Sequence, residues 1–224
     1  MPAPAGADAY DPDPDCPLCP RLVAFRRHYQ EQEPDWFNAP VPTFTGSDVR
    51  VLIVGLAPGL RGANRTGRPF TGDFAGDLLY ETLLDFGLAQ GRYEAHPNDG
   101  LSLEKVAITN AVRCVPPENK PVGAEIKACR PFLSTTLSRF DDLRAIVALG
   151  RIAHESVLTA YSLKKAAYPF GHGAEHSLFN EQILFDSYHC SRYNTNTRRL
   201  TPTMFRSVFS RVVHHAKTGR QAPV

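Results

Sequence analysis

The stretch "VRVLIVGLAPGLRGANRTGRPFTGD", Val49–Asp73, decides how the chain is read. "VRVLIV" is apolar enough to be a strand buried on both faces, and the glycines and arginines behind it belong to the loop that this strand delivers. After Asp73, "AGDLLYETLLDFGL" carries the apolar spacing of an amphipathic helix, so strand, loop and helix make one α/β unit. The alternation continues through "KVAITNAV" as strand, "GAEIKACRPFLSTTLSRF" as helix and "RAIVALG" as strand. A helix from about Arg151 to Leu163, the strand "EQILFDSYH" and a last helix with Thr201 as N-cap and Pro202 at N1 complete it. Such alternation predicts a mostly parallel sheet covered on both faces. Upstream, "CPRLVAFRRHY" has a helical stripe, and residues 1–15, rich in Pro and Asp, are expected to be a poorly ordered tail on a single domain spanning 16–224.

In open α/β sheets ligands bind beyond the carboxyl ends of the strands, where loops lead into helices. Four segments answer that description: the loop from Gly55 to Asp73, "TNAVRCVPPENKP", "GRIAHES" and "YHCSRYNTNT". Their polar residues are expected to converge on one cleft.

Composition narrows the class. With 224 residues, 42% hydrophobic and 21% charged, the chain has the balance of an ordinary globular domain, and it contains no apolar run long enough to cross a bilayer. The N-terminal "MPAPAGADAYDPDPDCP" lacks the basic start and apolar stretch of a secretory signal, so a cytoplasmic protein is expected. A net charge of +2 is a weak electrostatic footprint for a nucleic-acid partner. Any such surface must be local, as in the arginine groups Arg61, Arg65, Arg68 and Arg192, Arg198, Arg199, each of which also reads as a solvated loop.

Of five cysteines, Cys16 and Cys19 form a C-x2-C pair, while Cys114 and Cys129 stand far downstream and too far apart for a second zinc knuckle. Metal binding and simple burial are both open. If metal, one short pair with two dispersed ligands suits an iron–sulfur cluster better than zinc. Cys190 reads as a small packing residue.

The Gly55–Asp73 loop is neither a P-loop, which needs Lys-Ser or Lys-Thr after its glycines, nor a G-x-G-x-x-G turn into a helix. Its glycines let backbone approach a ligand closely, and Phe70 offers a ring to stack on one or to fill the core.

"GLAPG…GANRTGRPFTGD", "ITNAVRCVPPENKP" and "YHCSRYNTNTRRLT", together with the four cysteines, resemble the iron–sulfur uracil-DNA glycosylases, specifically the family 5, or type B, branch. The resemblance runs from Cys16 to the last helix. It implies a three-layer α/β/α sandwich with a central four-stranded mostly parallel sheet, and a 4Fe-4S cluster held by Cys16, Cys19, Cys114 and Cys129. It also implies a monofunctional hydrolase that cuts the N-glycosidic bond of uracil, and in type B of bases such as hypoxanthine and ethenocytosine, to begin base excision repair. The implied partner is uracil-containing, double-stranded DNA, bound by a monomer that releases uracil and makes no membrane contact.

On that reading Gly55, Leu56, Ala57, Gly59, Phe70 and Asn110 bind the flipped base. Phe70 stacks and Asn110 offers its amide to the base edge, though Asn110 also suits a turn cap. His189 donates to the departing anion. Family 4 relatives carry an acidic residue where Leu56 stands, so water activation falls to Asp73 or to DNA phosphates, with Asp73 equally suited to cap a helix. Arg61, Asn64, Arg65, Arg68, Ser191, Arg192, Tyr193, Asn194 and Asn196 are expected on DNA, with Arg192 or Tyr193 filling the gap left by the base. Arg61, Tyr193 and Arg198 depart from common family 5 residues, which bears on base range and on the wedge. An iron–sulfur redox protein and a non-catalytic nucleic-acid binder are the alternatives.

Overall fold

The computed structural model describes residues 10–218. Strand β2, Ser47–Gly55, runs through the middle of the sheet. It can do so because Val51 to Val54 are fully buried and point alternately to two different cores. Val51 and Ile53 meet helices α3, Phe74–Asp85, and α7, Pro202–Lys217, through Leu79, Leu83, Phe205 and Phe209. Leu52 and Val54 meet α4, Gly123–Ser138, and α5, Arg151–Ala160, through Leu133, Leu137 and Val157. Helices on both faces explain why the strand reads as one apolar run.

On one side β2 pairs in parallel with β4, Ser102–Asn110; on the other it pairs in parallel with β5, Ala145–Leu149, which pairs in parallel with β7, Ile183–Ser187. These four are the strands legible in the sequence. The sheet itself has seven strands among the described residues and is mixed, which corrects the expectation of a four-stranded sheet. The other three are antiparallel. β1, Phe44–Thr45, and β3, Ala89–Gln90, lie along β4, and β6, Glu175–Ser177, lies along β7. Two or three residues long, they carry too little pattern for periodicity to reveal them. The architecture is a mixed α/β fold consistent with an α/β/α sandwich. Among the described residues no helix is long and apolar enough to cross a membrane.

Helix α1, Pro20–Gln32, starts with proline in its first turn, and Thr201 caps α7 by accepting from the Met204 amide at 3.2 Å, as the sequence indicates for α7. The expected tail, residues 1–15, lies partly outside the described residues, which begin at Tyr10. Its described end is tied down. Asp11 accepts from Arg113 Nη1 at 2.6 Å and from the Thr43 amide and hydroxyl at 3.0 Å. Arg113 is 1% exposed and also donates to Thr43 Oγ1 and Thr136 Oγ1, so its charge is compensated inside the protein by one carboxylate and two hydroxyls.

Removing that carboxylate leaves a buried guanidinium without a counter-charge. Asp11→Ala is therefore expected to cost about 3 kcal/mol of stability, read by chemical denaturation; a loss under about 0.5 kcal/mol, the size of an ordinary surface change, would show that the segment at Asp11 is not held by this pair.

Candidate active site

The carboxyl ends of β2 and β4 are in register, with Gly55 opposite Asn110. The backbone continues the pairing beyond the strands, since the Ala111 and Val112 amides donate to the Gly55 and Leu56 carbonyls. Gly55 has to lack a side chain. A Cβ there would collide with Asn110 Oδ1 and would lie 2.6 Å from Phe70 Cζ. The Asn110 amide and the Phe70 ring therefore share the space above the Gly55 backbone. Asn110 is 3% exposed, and its Oδ1 has no hydrogen-bond partner. That is an unusual state for a buried acceptor and costs about 1–3 kcal/mol.

Phe70 reaches this place through a left-handed backbone, φ 52°. Neighbours lock it there: Tyr93 Oη donates to the Phe70 carbonyl at 3.2 Å and Tyr80 Oη to the Pro69 carbonyl at 2.6 Å. Burial pushes the Tyr93 phenol up to about 12, so it remains a donor throughout the neutral range. The other face of the site comes from the far side of the sheet. His189, just past β7, lays its partly buried imidazole against Phe70, ring centroids 5.9 Å apart and 29° from parallel. Desolvation pushes its pKa down to about 4, so at neutral pH the ring is uncharged and carries one N–H.

Asp73 is the N-cap of α3. Oδ1 accepts from the Ala75 and Gly76 amides at 3.1 and 3.3 Å, while Oδ2 lies against the backbone of Gly59 and Gly62, where a Cβ on Gly62 would strike it. Desolvation raises its pKa, against the pull of the two amides. Capping and an oxygen turned into the loop are both present in one carboxylate. Leu56 and Ala57 are partly buried, and Ala57 packs toward Cys114 and Cys129. Gly59 is taken up in the turn, its carbonyl accepting from the Gly62 and Asn64 amides.

Two residues expected on DNA are buried and bonded within the protein. Arg68 is 6% exposed; it pairs with both carboxylate oxygens of Asp99 at 2.8 and 2.7 Å and lies over the rings of Phe44, Tyr80 and Tyr93. Asn64 is fully buried and donates to Asn38 Oδ1. Asn64 lies in helix α2, Ala63–Thr66, a turn too short to read from sequence, and Arg68 follows its C-cap Gly67. Asn194 belongs to α6, Arg192–Asn196, and donates to the His189 carbonyl at 2.8 Å. Ser191 caps α6 through the Asn194 amide. Arg61, Arg65, Arg192, Tyr193 and Asn196 are exposed, Tyr193 by 71%. Cys190 is fully buried with Sγ on the Ala75 carbonyl, a packing residue as read. Sequence reading missed Tyr80, which lies within α3, and Tyr93 and Asp99, which lie in the chain after it, although all three hold the Phe70 loop.

The expectation of a 4Fe-4S cofactor is corrected by the geometry. Cys16, Cys19, Cys114 and Cys129 line one apolar pocket as free thiols, but no three of their sulfurs lie within 4.8 Å of one another. Burial pushes the Cys129 thiol up to about 11 and the Cys114 thiol to about 12. Among the described residues, the one group with its ligand atoms that close is His154, His176 and Asp186. There Asp186 accepts from His154 Nδ1 at 2.7 Å and His176 Nε2 at 3.1 Å, while His154 Nε2 is 2.9 Å from the Tyr168 carbonyl. Both nitrogens of His154 are thus already hydrogen-bonded, and the trio reads as a buried polar tie between α5, β6 and β7.

The Uracil DNA glycosylase superfamily profile matches residues 42–212. The chain is 47% identical over 199 residues to a type-5 uracil-DNA glycosylase of Thermus thermophilus, covering 86% of this chain and 90% of that one. It is 41% identical to a type-5 uracil-DNA glycosylase of Mycobacterium tuberculosis, over 87% and 75% of the two chains, and 37% identical to one of Pyrobaculum aerophilum, over 90% and 89%.

If desolvation sets the state of His189, its ring should titrate near pH 4 rather than at the 6.5 of a free imidazole, as measured by NMR of the ring nitrogens. A doubly protonated ring at pH 6 would refute the neutral-donor picture.

Proposed function

The chain belongs to the uracil DNA glycosylase superfamily and within it to the type-5 uracil-DNA glycosylases, and from that premise we propose that it excises uracil from DNA to open base-excision repair. The observation that carries the reading is Asn110 Oδ1, a buried acceptor with no partner beside an aromatic ring and a bare glycine. A flipped uracil brings the missing donor, its N3–H, and a flat face for Phe70. Cytosine presents a lone pair at N3, so two acceptors would face each other, and a polar group left unpaired in a closed site is strongly rejected. Hypoxanthine shares the N–H beside a carbonyl and fits the same acceptor.

Excision needs the base out of the stack, where the enzyme can reach the glycosidic bond. As that bond lengthens, its electron pair moves onto the uracil ring and the sugar becomes an oxocarbenium ion. A neutral N–H from His189 gains strength as the anion develops, which is transition-state rather than ground-state binding. Water adds to C1′ of the sugar, and the proton it loses goes to Asp73 Oδ2 or to a DNA phosphate. The products are free uracil and an abasic site. The cysteines have no part in these steps.

Exposed Arg61, Arg65, Arg192 and Asn196 are suited to the phosphates, which fix register without reading sequence, and Tyr193 to the gap in the stack. We place the enzyme as a cytoplasmic monomer acting on duplex DNA, with residues 16–224 as its single domain.

The test is a labelled duplex with one uracil, incubated with the protein and treated with alkali. A strand cut only at uracil supports the proposal; an intact strand overturns it. In single-turnover assays His189→Ala should slow release by about a hundredfold while DNA affinity changes little, and Asn110→Ala should lose selectivity against cytosine. Equal losses of rate and affinity in His189→Ala would remove its transition-state role.

A further inference from the structure

His189 can serve only if its ring is held in place over Phe70, and side chains from elsewhere tie the backbone at Tyr188, one residue before it, and at its own carbonyl, while the Ser187 hydroxyl donates to the Tyr188 carbonyl between them at 2.9 Å. On the upstream side is Tyr188. Its amide donates to Nδ1 of His172 at 3.1 Å, and the His172 ring stacks on the Tyr188 ring, centroids 5.1 Å apart and 23° from parallel. An amide can only donate, so His172 Nδ1 is the lone-pair nitrogen and the ring proton sits on Nε2. The backbone of Met204, at the start of α7, is a further hydrogen-bond partner of this ring. The Tyr188 ring is engaged by a cation too, with the Arg199 guanidinium 4.5 Å from its centre. On the downstream side Asn194 Nδ2 donates to the His189 carbonyl at 2.8 Å, from a helix whose first turn is capped by Ser191.

We propose that His172 and Asn194 are positioning residues for base release, which fix the backbone on either side of His189 and so aim its N–H at the departing base. The inference rests on the uracil-excision reading. His172 comes from the loop before β6 and Asn194 from α6, so the two ties are independent elements that meet at one residue. Desolvation, together with the charge of Arg211, keeps the His172 pKa below its ordinary value against the pull of the Met204 backbone, and the ring is therefore in its acceptor form at neutral pH. Geometry of this kind matters because a displacement of about 1 Å at a reacting group can cost about a hundredfold in rate.

Two substitutions separate the tie from the stacking. His172→Phe keeps a ring on Tyr188 and removes the acceptor; His172→Asn puts an amide oxygen near the place of Nδ1. Single-turnover uracil release should fall by about tenfold or more in the Phe variant, with duplex affinity and melting temperature near wild type. The Asn variant should recover most of the rate. Combined with His189→Ala, His172→Phe should add almost nothing, since it acts through the residue already removed. Asn194→Leu, on a surface helix, should repeat the pattern and serves if His172→Phe does not fold.

Wild-type rate in the Phe variant, equal damage from Phe and Asn, or full additivity with His189→Ala would each overturn the inference. A wild-type chain that releases no uracil overturns the excision reading itself. Normal wild-type release beside indifferent His172 and Asn194 variants overturns only the positioning roles.

Discussion

Parallel register between β2 and β4 puts a residue without a side chain opposite one with an amide, and the site depends on that pairing. Gly55 leaves room above its backbone for Asn110 and Phe70 to meet. The register is enforced from below, because Val51 to Val54 alternate between two separate cores. A slip by one residue would exchange the two faces and carry a valine to the position of Gly55. The apolar packing of the sheet and the chemistry at its edge are thus specified by the same four buried residues.

The left-handed backbone of Phe70 is a second constraint, and a costly one, at about 1–3 kcal/mol for a residue with a side chain. It persists because the surroundings determine it several times over. Two tyrosine hydroxyls hold adjacent carbonyls, and Arg68 joins the loop to Asp99 across a nest of three aromatic rings. Burial opposes ionisation of Asp99, but the Arg68 guanidinium and the Glu94 and Leu101 amides hold its carboxyl well below the usual carboxylate range. A buried pair of this sort is a weak source of net stability. In this loop it supplies position.

How much of this was legible in the sequence follows from the length of each signal. The four parallel strands and the long helices have runs of apolar residues at fixed spacing, and the meeting of Phe70, Asn110 and His189 beyond the carboxyl ends of the strands follows from their order. The quoted motifs led to Phe70, Asn110 and His189, which do come together. Arg68 and Asn64 were misread because an arginine-rich loop looks solvated until tertiary structure shows Asp99 and Asn38 waiting for it. The cysteines were misread as cluster ligands because spacing along a chain says which residues can approach, and not how near the sulfurs come. The ties from His172 and Asn194 are single contacts between distant segments, with no periodicity to announce them.

The short antiparallel strands have a bearing on how the protein behaves in a crowded solution. Without them, β4 and β7 would each show a row of unpaired amides and carbonyls along one side. β1 and β3 occupy opposite ends of β4, and β6 lies along β7. What remains open at either rim is two or three residues long, too brief a template for another chain to add itself as a strand. The pieces that carry the least sequence signal thus guard the sheet against sticking to its neighbours.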